Sequence, residues 1–360
     1  MKNYFLLLLF PMVAFSQISF EKVNEKTRKF ANNYLDGENI PGMSISISYN
    51  GKIIFSEGFG YADLENKILV NPSSTKFDIG SVSKVITATT LARLAEMKAI
   101  DLDKSVYYYL DSLPKKQYDF TVRQVGGHLS GIVRNPNGYQ FTDSTFVNVK
   151  DFYGAFSKDK LLFKPSSKFF YSNLGYRLLG LIIEKQYKKA LTESQKELVL
   201  DQLNMTNTIP DCLCIDDKNS AKLYSWNKKD TTEVNRISCE FQYAEGCYLS
   251  TTEDLSKLGN ALLFPDKLLK KEMLVQFILS QKLDNGKKTG YGIGLESEKD
   301  ANGNFYYGHA GNWIGSRAFL YVYPNSKLVI TLLANRRMNK NSKNIVPEIA
   351  YHYIELIKNQ

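Results

Sequence analysis

Gly42-Met43-Ser44-Ile45-Ser46-Ile47-Ser48-Tyr49, then Asn50-Gly51, then Lys52-Ile53-Ile54-Phe55: an alternating run and an apolar run meet at a two-residue turn. Alternation with period two suits a pleated strand, and Asn-Gly tolerates the positive φ angles of a tight turn, so this stretch predicts a β-hairpin. Near the other end, Ala318 to Tyr323 and Leu328 to Leu333 flank Pro324-Asn325-Ser326 and predict a second hairpin. The two are expected to share one antiparallel sheet. A helix over about Ile345 to Ile357 has an apolar face to lay on that sheet, and a helix over Phe20 to Leu35 can lie beside it. In between, Val82 to Met97, Tyr171 to Glu184, Ser194 to Leu203 and Thr252 to Leu263 carry helical spacing, while strand signals nearly vanish. The expected fold is α+β, in a single domain over residues 17–360. An antiparallel sheet from about 17–80 and 264–360, flanked by the terminal helices, receives a mostly helical insertion over about 81–263.

Residues 1–16 hold an early Lys2, an apolar core around Leu6 to Phe10 and a small-residue site at Ala14-Phe15-Ser16, the pattern of a cleavable secretory signal. The mature chain is expected to begin at Gln17 and to be secreted or periplasmic. Stable membrane insertion is not expected, because Pro11 breaks an apolar run that falls short of the roughly 20 residues a span needs. The net charge of +9 is scattered over pairs such as Lys115-Lys116, Lys228-Lys229 and Lys287-Lys288. A dispersed excess favours solubility and, without a compact basic stripe, argues against nucleic acid as a partner. Cys212-Leu213-Cys214 lacks metal-site spacing and has no histidine nearby, so no metal is expected. In an exported chain a bridge from that pair to Cys239 is expected, leaving Cys247 as a buried free thiol.

No Gly-x-Ser-x-Gly elbow, His-Glu-x-x-His, phosphate loop or dinucleotide fingerprint occurs. Ser-x-x-Lys occurs six times, at Ser19, Ser73, Ser81, Ser112, Ser157 and Ser225. Ser81 differs from the rest in having a glycine before it and a long apolar helix after it. Spacing of three places Ser81 and Lys84 on one helix face, with the backbone N–H of Ser81 at the helix mouth, where it can meet a developing oxyanion. A serine hydroxyl needs a base, and a lysine serves only if burial or neighbours hold it neutral. Tyr171, in Tyr171-Ser172-Asn173 at the start of a helix, can share that proton.

Ser81-Val82-Ser83-Lys84, Tyr171-Ser172-Asn173 and His309-Ala310-Gly311 stand in the order used by class C serine β-lactamases and their penicillin-binding relatives. Gly60-Tyr61-Ala62-Asp63, His128-Leu129-Ser130-Gly131-Ile132, Phe163-Lys164-Pro165, Ala244 to Thr251 and Tyr291-Gly292-Ile293-Gly294 are similar as well. The chain resembles that family from roughly Ile40 to Arg336. Gly60 to Leu102 and the His128 run resemble its mitochondrial β-lactamase-like branch. The resemblance implies a β-lactamase/DD-peptidase-like fold and an acyl-enzyme on Ser81, with Lys84 and Tyr171 handling the proton. It also implies that Asn173 orients a substrate amide, that the N–H groups of Ser81 and Asn312 hold the oxyanion, and that His309 and Gly311 line the facing strand. His128 is implied to brace the active-site loop. Neither metal nor organic cofactor is implied.

The third motif departs from the family, which commonly has Lys or His, then Thr, then Gly. Here the middle residue is Ala310, and a histidine supplies no fixed charge. Losing a hydrogen bond to a charged group costs about 1.5–3 kcal/mol, which moves expectation away from carboxylate-bearing β-lactams and D-alanyl peptides. The literal Lys288-Thr289-Gly290 precedes Tyr291-Gly292 and is read as a decoy. The expectation is an exported serine hydrolase of small-molecule or peptide esters or amides. The alternatives are a true β-lactamase or D-alanyl-D-alanine carboxypeptidase, and a binding or assembly protein with weak catalysis.

Overall fold

The protein is described by a computed structural model covering residues 18–136, 149–211, 217–227, 230–235, 242–337 and 344–359. β1 (Gly42–Tyr49), β2 (Lys52–Asp63), β3 (Ile68–Leu69) and β4 (Phe77–Asp78) precede the Ser81 region. β5 (Ile209–Pro210), β6 (Leu223–Asn227), β7 (Asp230–Val234) and β8 (Tyr248–Ser250) interrupt the helical part. β9 (Glu296–Lys299), β10 (Phe305–Trp313), β11 (Ser316–Tyr323) and β12 (Leu328–Ala334) close the sheet. Seven strands form one antiparallel sheet in the order β3-β2-β1-β12-β11-β10-β9, so both ends of the chain meet where β1 pairs with β12. Asn50 and Gly51 take φ angles of 49° and 78°, the left-handed pair that the Asn-Gly turn provides.

Apolar layers cover both faces of the sheet. On one, Met43, Ile45, Ile47, Ile330 and Leu332 meet Ile349 and Tyr353 of the helix Val346–Lys358, beside the helix Glu21–Gly37. On the other, Leu320 and Val329 join Leu258 of the helix Thr252–Leu263 and the core of the helical part. The alternate residues of β1 do not reach water. Ser44, Ser46 and Ser48 are fully buried, and the first two bond Thr252 at 2.8 Å while Ser48 donates to Asn260 at 2.8 Å. Small hydroxyl side chains let that helix approach closely, and Gly259 sits where a Cβ would stand 2.4 Å from Val329.

The helices expected from Val82 and Thr252 run Ser83–Glu96 and Thr252–Leu263, and the one expected at Tyr171 runs Asn173–Tyr187. The Ser194 to Leu203 segment instead passes from a short α-helix, Leu191–Gln195, through a π turn into a 3₁₀ turn ending at Leu203. β5 and β8, of two and three residues, are too short to show alternation in sequence. Among the described residues no helix is long and apolar enough to cross a membrane. The expected signal lies outside the described residues. Cys247 corrects the free-thiol expectation, for it is disulfide-bonded. It is fully buried, and burial does not distinguish a bridged sulfur from a free one. Cys212, Cys214 and Cys239 lie outside the described residues.

Candidate active site

Ser81 occupies a 3₁₀ turn, Gly80–Val82, that feeds the helix Ser83–Glu96. The turn is held from below, where Gly80 N–H donates to Asp78 Oδ1 at 2.7 Å and Ile79 N–H donates to Tyr248 O at 2.9 Å. Gly80 has φ 47°, and a Cβ there would stand 2.8 Å from the Asn312 backbone, so only glycine fits. Lys84, in the first turn of the helix, is fully buried. Its Nζ donates to Ser81 Oγ at 3.1 Å and to Glu245 O at 2.7 Å. Burial lowers its ammonium to about 7, opposed by the Glu245 carboxylate and assisted by the charges of Arg134 and Arg177. At neutral pH a substantial fraction of Lys84 is therefore the free amine.

Tyr171 immediately precedes the helix Asn173–Tyr187, whose N-cap is Ser172. Ser172 Oγ accepts from Gly175 N–H at 2.9 Å and donates to Val133 O at 2.8 Å. Ser172 N–H donates to His128 Nδ1 at 3.1 Å, which assigns the imidazole proton to Nε2. His128 is buried at φ 60°, its ring 4.3 Å from that of Tyr171, so it seats the tyrosine. Burial pushes the Tyr171 phenol well above its ordinary range, and the neighbouring Ser81 hydroxyl opposes that shift. Lys84 Nζ lies 5.0 Å from the centre of the same ring. The amide of Asn173, largely buried, donates through Nδ2 to Asn135 Oδ1 at 3.4 Å, and its Oδ1 has no hydrogen-bond partner among the described residues.

β10 forms the facing wall. Gly311 passes so near the Ser81 turn that a Cβ would meet Ile79 O at 2.1 Å and Ser81 N at 3.2 Å. Ala310 N–H donates sideways to Glu296 Oε1 at 3.2 Å. N–H groups two residues apart on a strand point the same way, so the Asn312 N–H is directed to the same side of β10 as that of Ala310, and the Asn312 backbone lies against the Gly80–Ser81 turn. His309 is buried, with Nδ1 donating to Ala310 O at 2.6 Å and Nε2 accepting from Tyr291 OH at 3.0 Å. Burial, and then the Lys84 charge, lower it to about 3, so it is a neutral imidazole near Tyr171. Glu296 behind it is pushed up by burial. Lys288 is exposed, Thr289 bonds the carbonyls of Gln281 and Tyr291, and among the described residues neither side chain bonds Ser81, Lys84 or Tyr171.

The structure thus gathers Ser81, Lys84, Tyr171, Asn173, His309, Gly311 and Asn312 around one point. It adds residues that sequence reasoning missed. Glu245 and Arg177, each 3% exposed, form a bidentate pair at 2.9 and 2.8 Å that fixes the segment whose carbonyl holds Lys84. Thr87 donates to the neighbouring Ala244 O at 2.7 Å. Tyr176 and Tyr291 close the floor between the two histidines. Arg177 lies one helical turn after Asn173, a spacing that points it to the same face, but only the fold shows that Glu245 waits there.

The arrangement presents a hydroxyl beside a buried amine whose ammonium is lowered to about 7, a phenol beside both, and the backbone of the Ser81 turn against that of Asn312 on β10. Comparison with known proteins agrees in fold. The chain is 26% identical to the mitochondrial serine beta-lactamase-like protein of Homo sapiens, across 85% of this chain and 73% of that one. It is 28% identical to the protein flp of Staphylococcus aureus, across 87% of this chain and 62% of that one. The octameric penicillin-binding protein homologue of Pyrococcus abyssi superposes with a TM-score of 0.79 at 26% identity, covering 93% of this chain and 77% of its own. The D-amino acid amidase of Ochrobactrum anthropi, at 21% identity, shares the fold with a TM-score of 0.79 over 94% of this chain and 99% of its own. The Beta-lactamase family model matches residues 27–350, and the chain belongs to that family.

Proposed function

We propose that this protein is an exported serine hydrolase that forms an acyl-enzyme on Ser81 and cleaves small esters or amides lacking the carboxylate that β-lactams carry. The observation that carries the reading is Lys84: a fully buried amine, 3.1 Å from Ser81 Oγ, whose ammonium is lowered to about 7. Neutral Lys84 and Tyr171 together accept the Ser81 proton as Oγ attacks the carbonyl. The N–H groups of Ser81 and Asn312 receive the negative charge on the tetrahedral oxygen. Collapse breaks the bond to the leaving group, which takes the proton back through Tyr171. Water then attacks the acyl-serine with the same groups as base, restoring Ser81. Asn173 Oδ1 accepts an N–H from the acyl side. The neutral His309, with Glu296 behind it, disfavours a substrate carboxylate at β10.

The test is turnover by the mature protein of a 4-nitrophenyl ester, a chromogenic cephalosporin and a D-alanyl-D-alanine peptide, with Ser81→Ala as background. Ser81-dependent release from the ester, at least tenfold above the other two in kcat/KM, is expected. Preference for the cephalosporin or the peptide overturns the substrate reading, and no Ser81-dependent turnover of any leaves the binding-protein alternative.

A further inference from the structure

The two walls of the cleft differ in charge. On the β10 wall His309 is neutral and Glu296 is an acid, and Arg317 stacks on Phe319, within the layer that meets the terminal helices. On the other wall stands Arg134. Its carbonyl accepts from Asn173 N–H and Leu174 N–H, each at 3.0 Å, which ties it to the start of the Tyr171–Asn173 helix. Its guanidinium lies 5.5 Å from the centre of the Tyr171 ring, and the residue is exposed. Of the two arginines whose charge reaches Lys84, Arg177 is committed to its buried pair with Glu245. Among the described residues Arg134 has no carboxylate partner. Its charge also reaches Tyr171 and His128, as a cation at the mouth of this cleft must.

We propose that Arg134 is a specificity determinant for esters or amides whose acyl portion carries a carboxylate, held on the Asn173 wall of the cleft. This rests on the reading of Ser81 as the acyl-accepting nucleophile, and it names the substrate class of that site. The fixed cation stands on the side of the acyl group, not on the β10 side. An acyl-side carboxylate stays near Arg134 from binding through deacylation, since the acyl group remains on Ser81. Guanidinium is suited to the role because it is permanently charged and presents several donors to a carboxylate. The site is solvent-exposed, so the effect is that of a surface ion pair, about five-fold.

The experiment compares mono-4-nitrophenyl glutarate with 4-nitrophenyl pentanoate, which differ by a terminal carboxylate, on wild type, Arg134→Gln and Arg134→Lys. Rates with Ser81→Ala are subtracted. Wild type is expected to favour the glutarate in kcat/KM by about five-fold. Arg134→Gln removes that ratio, Arg134→Lys keeps part of it, and raising the salt concentration erodes it in wild type but not in the glutamine variant. A wild-type ratio near one, or a ratio that survives Arg134→Gln, overturns the inference while leaving the hydrolase reading intact. No turnover of either ester with Ser81 still open to acylating reagents also overturns the inference alone. No turnover with Ser81 inert overturns both.

Discussion

Among the described residues Lys84 has no acidic side chain bonded to its Nζ, which is held by the Glu245 carbonyl and the Ser81 hydroxyl. A carbonyl dipole does not offset burial as a carboxylate would, so the ammonium is lowered to about 7. Below that pH Lys84 is charged and cannot take the Ser81 proton, and above it the amine can. The kcat/KM for a neutral ester should therefore rise with pH through a midpoint near 7, with the limb absent from the residual rate of Lys84→Arg. A midpoint near the ordinary lysine value assigns the limb elsewhere. Ser81, Lys84 and Tyr171 were legible because their chemistry depends on local spacing and on the helices they open. Ser81 stood out among six Ser-x-x-Lys matches through its flanking glycine and helix. Glu245 and Tyr291 fell inside stretches that resemble the family but were given no role there, and Arg134 had no signal, since each acts through a contact that only the fold creates.

At the scale of elements, the Ala244–Cys247 segment works as a clamp on the nucleophile's helix. Lys84 and Thr87 both donate to its carbonyls, and the Glu245–Arg177 pair fixes it to the helix Asn173–Tyr187. Removing one partner of a buried pair strands the other, so Arg177→Met should cost about 3–5 kcal/mol in denaturant unfolding, and the double variant with Glu245→Met should recover much of it. Equal losses in the single and double variants would mean the pair contributes packing alone. Long helices and both hairpins were readable from periodicity. The short strands were not, and β1 shows where alternation misleads. Ser44, Ser46 and Ser48 look like a solvent face, yet they lie beneath Thr252 and Asn260 because a helix covers them.

Over the whole molecule, the sheet joins the first and last strands of the chain, with the helical part closed between them. Asn335, just past β12, ties this closure. Its Oδ1 accepts from Gly42 N–H at 2.7 Å and its Nδ2 donates to Tyr61 O at 3.0 Å, where β1 and β2 begin and end. Fully buried, it leaves both backbone groups unpaired when truncated, so Asn335→Ala should cost about 2 kcal/mol or more. Circular dichroism during denaturant unfolding checks this, and a loss below about 0.5 kcal/mol means water replaces the amide. Antiparallel pairing of the two ends could be inferred from the sequence because both hairpins carried strong turn signals. The polar tie at Asn335 could not, because nothing in its neighbours distinguishes it from a loop asparagine. This fold activates Ser81, and intact-mass spectrometry of the protein after exposure to a fluorophosphonate tests that most directly. A single adduct on wild type, absent from Ser81→Ala, is the predicted result; a folded wild-type protein that stays unlabelled, or a Ser81→Ala variant that labels equally, contradicts it.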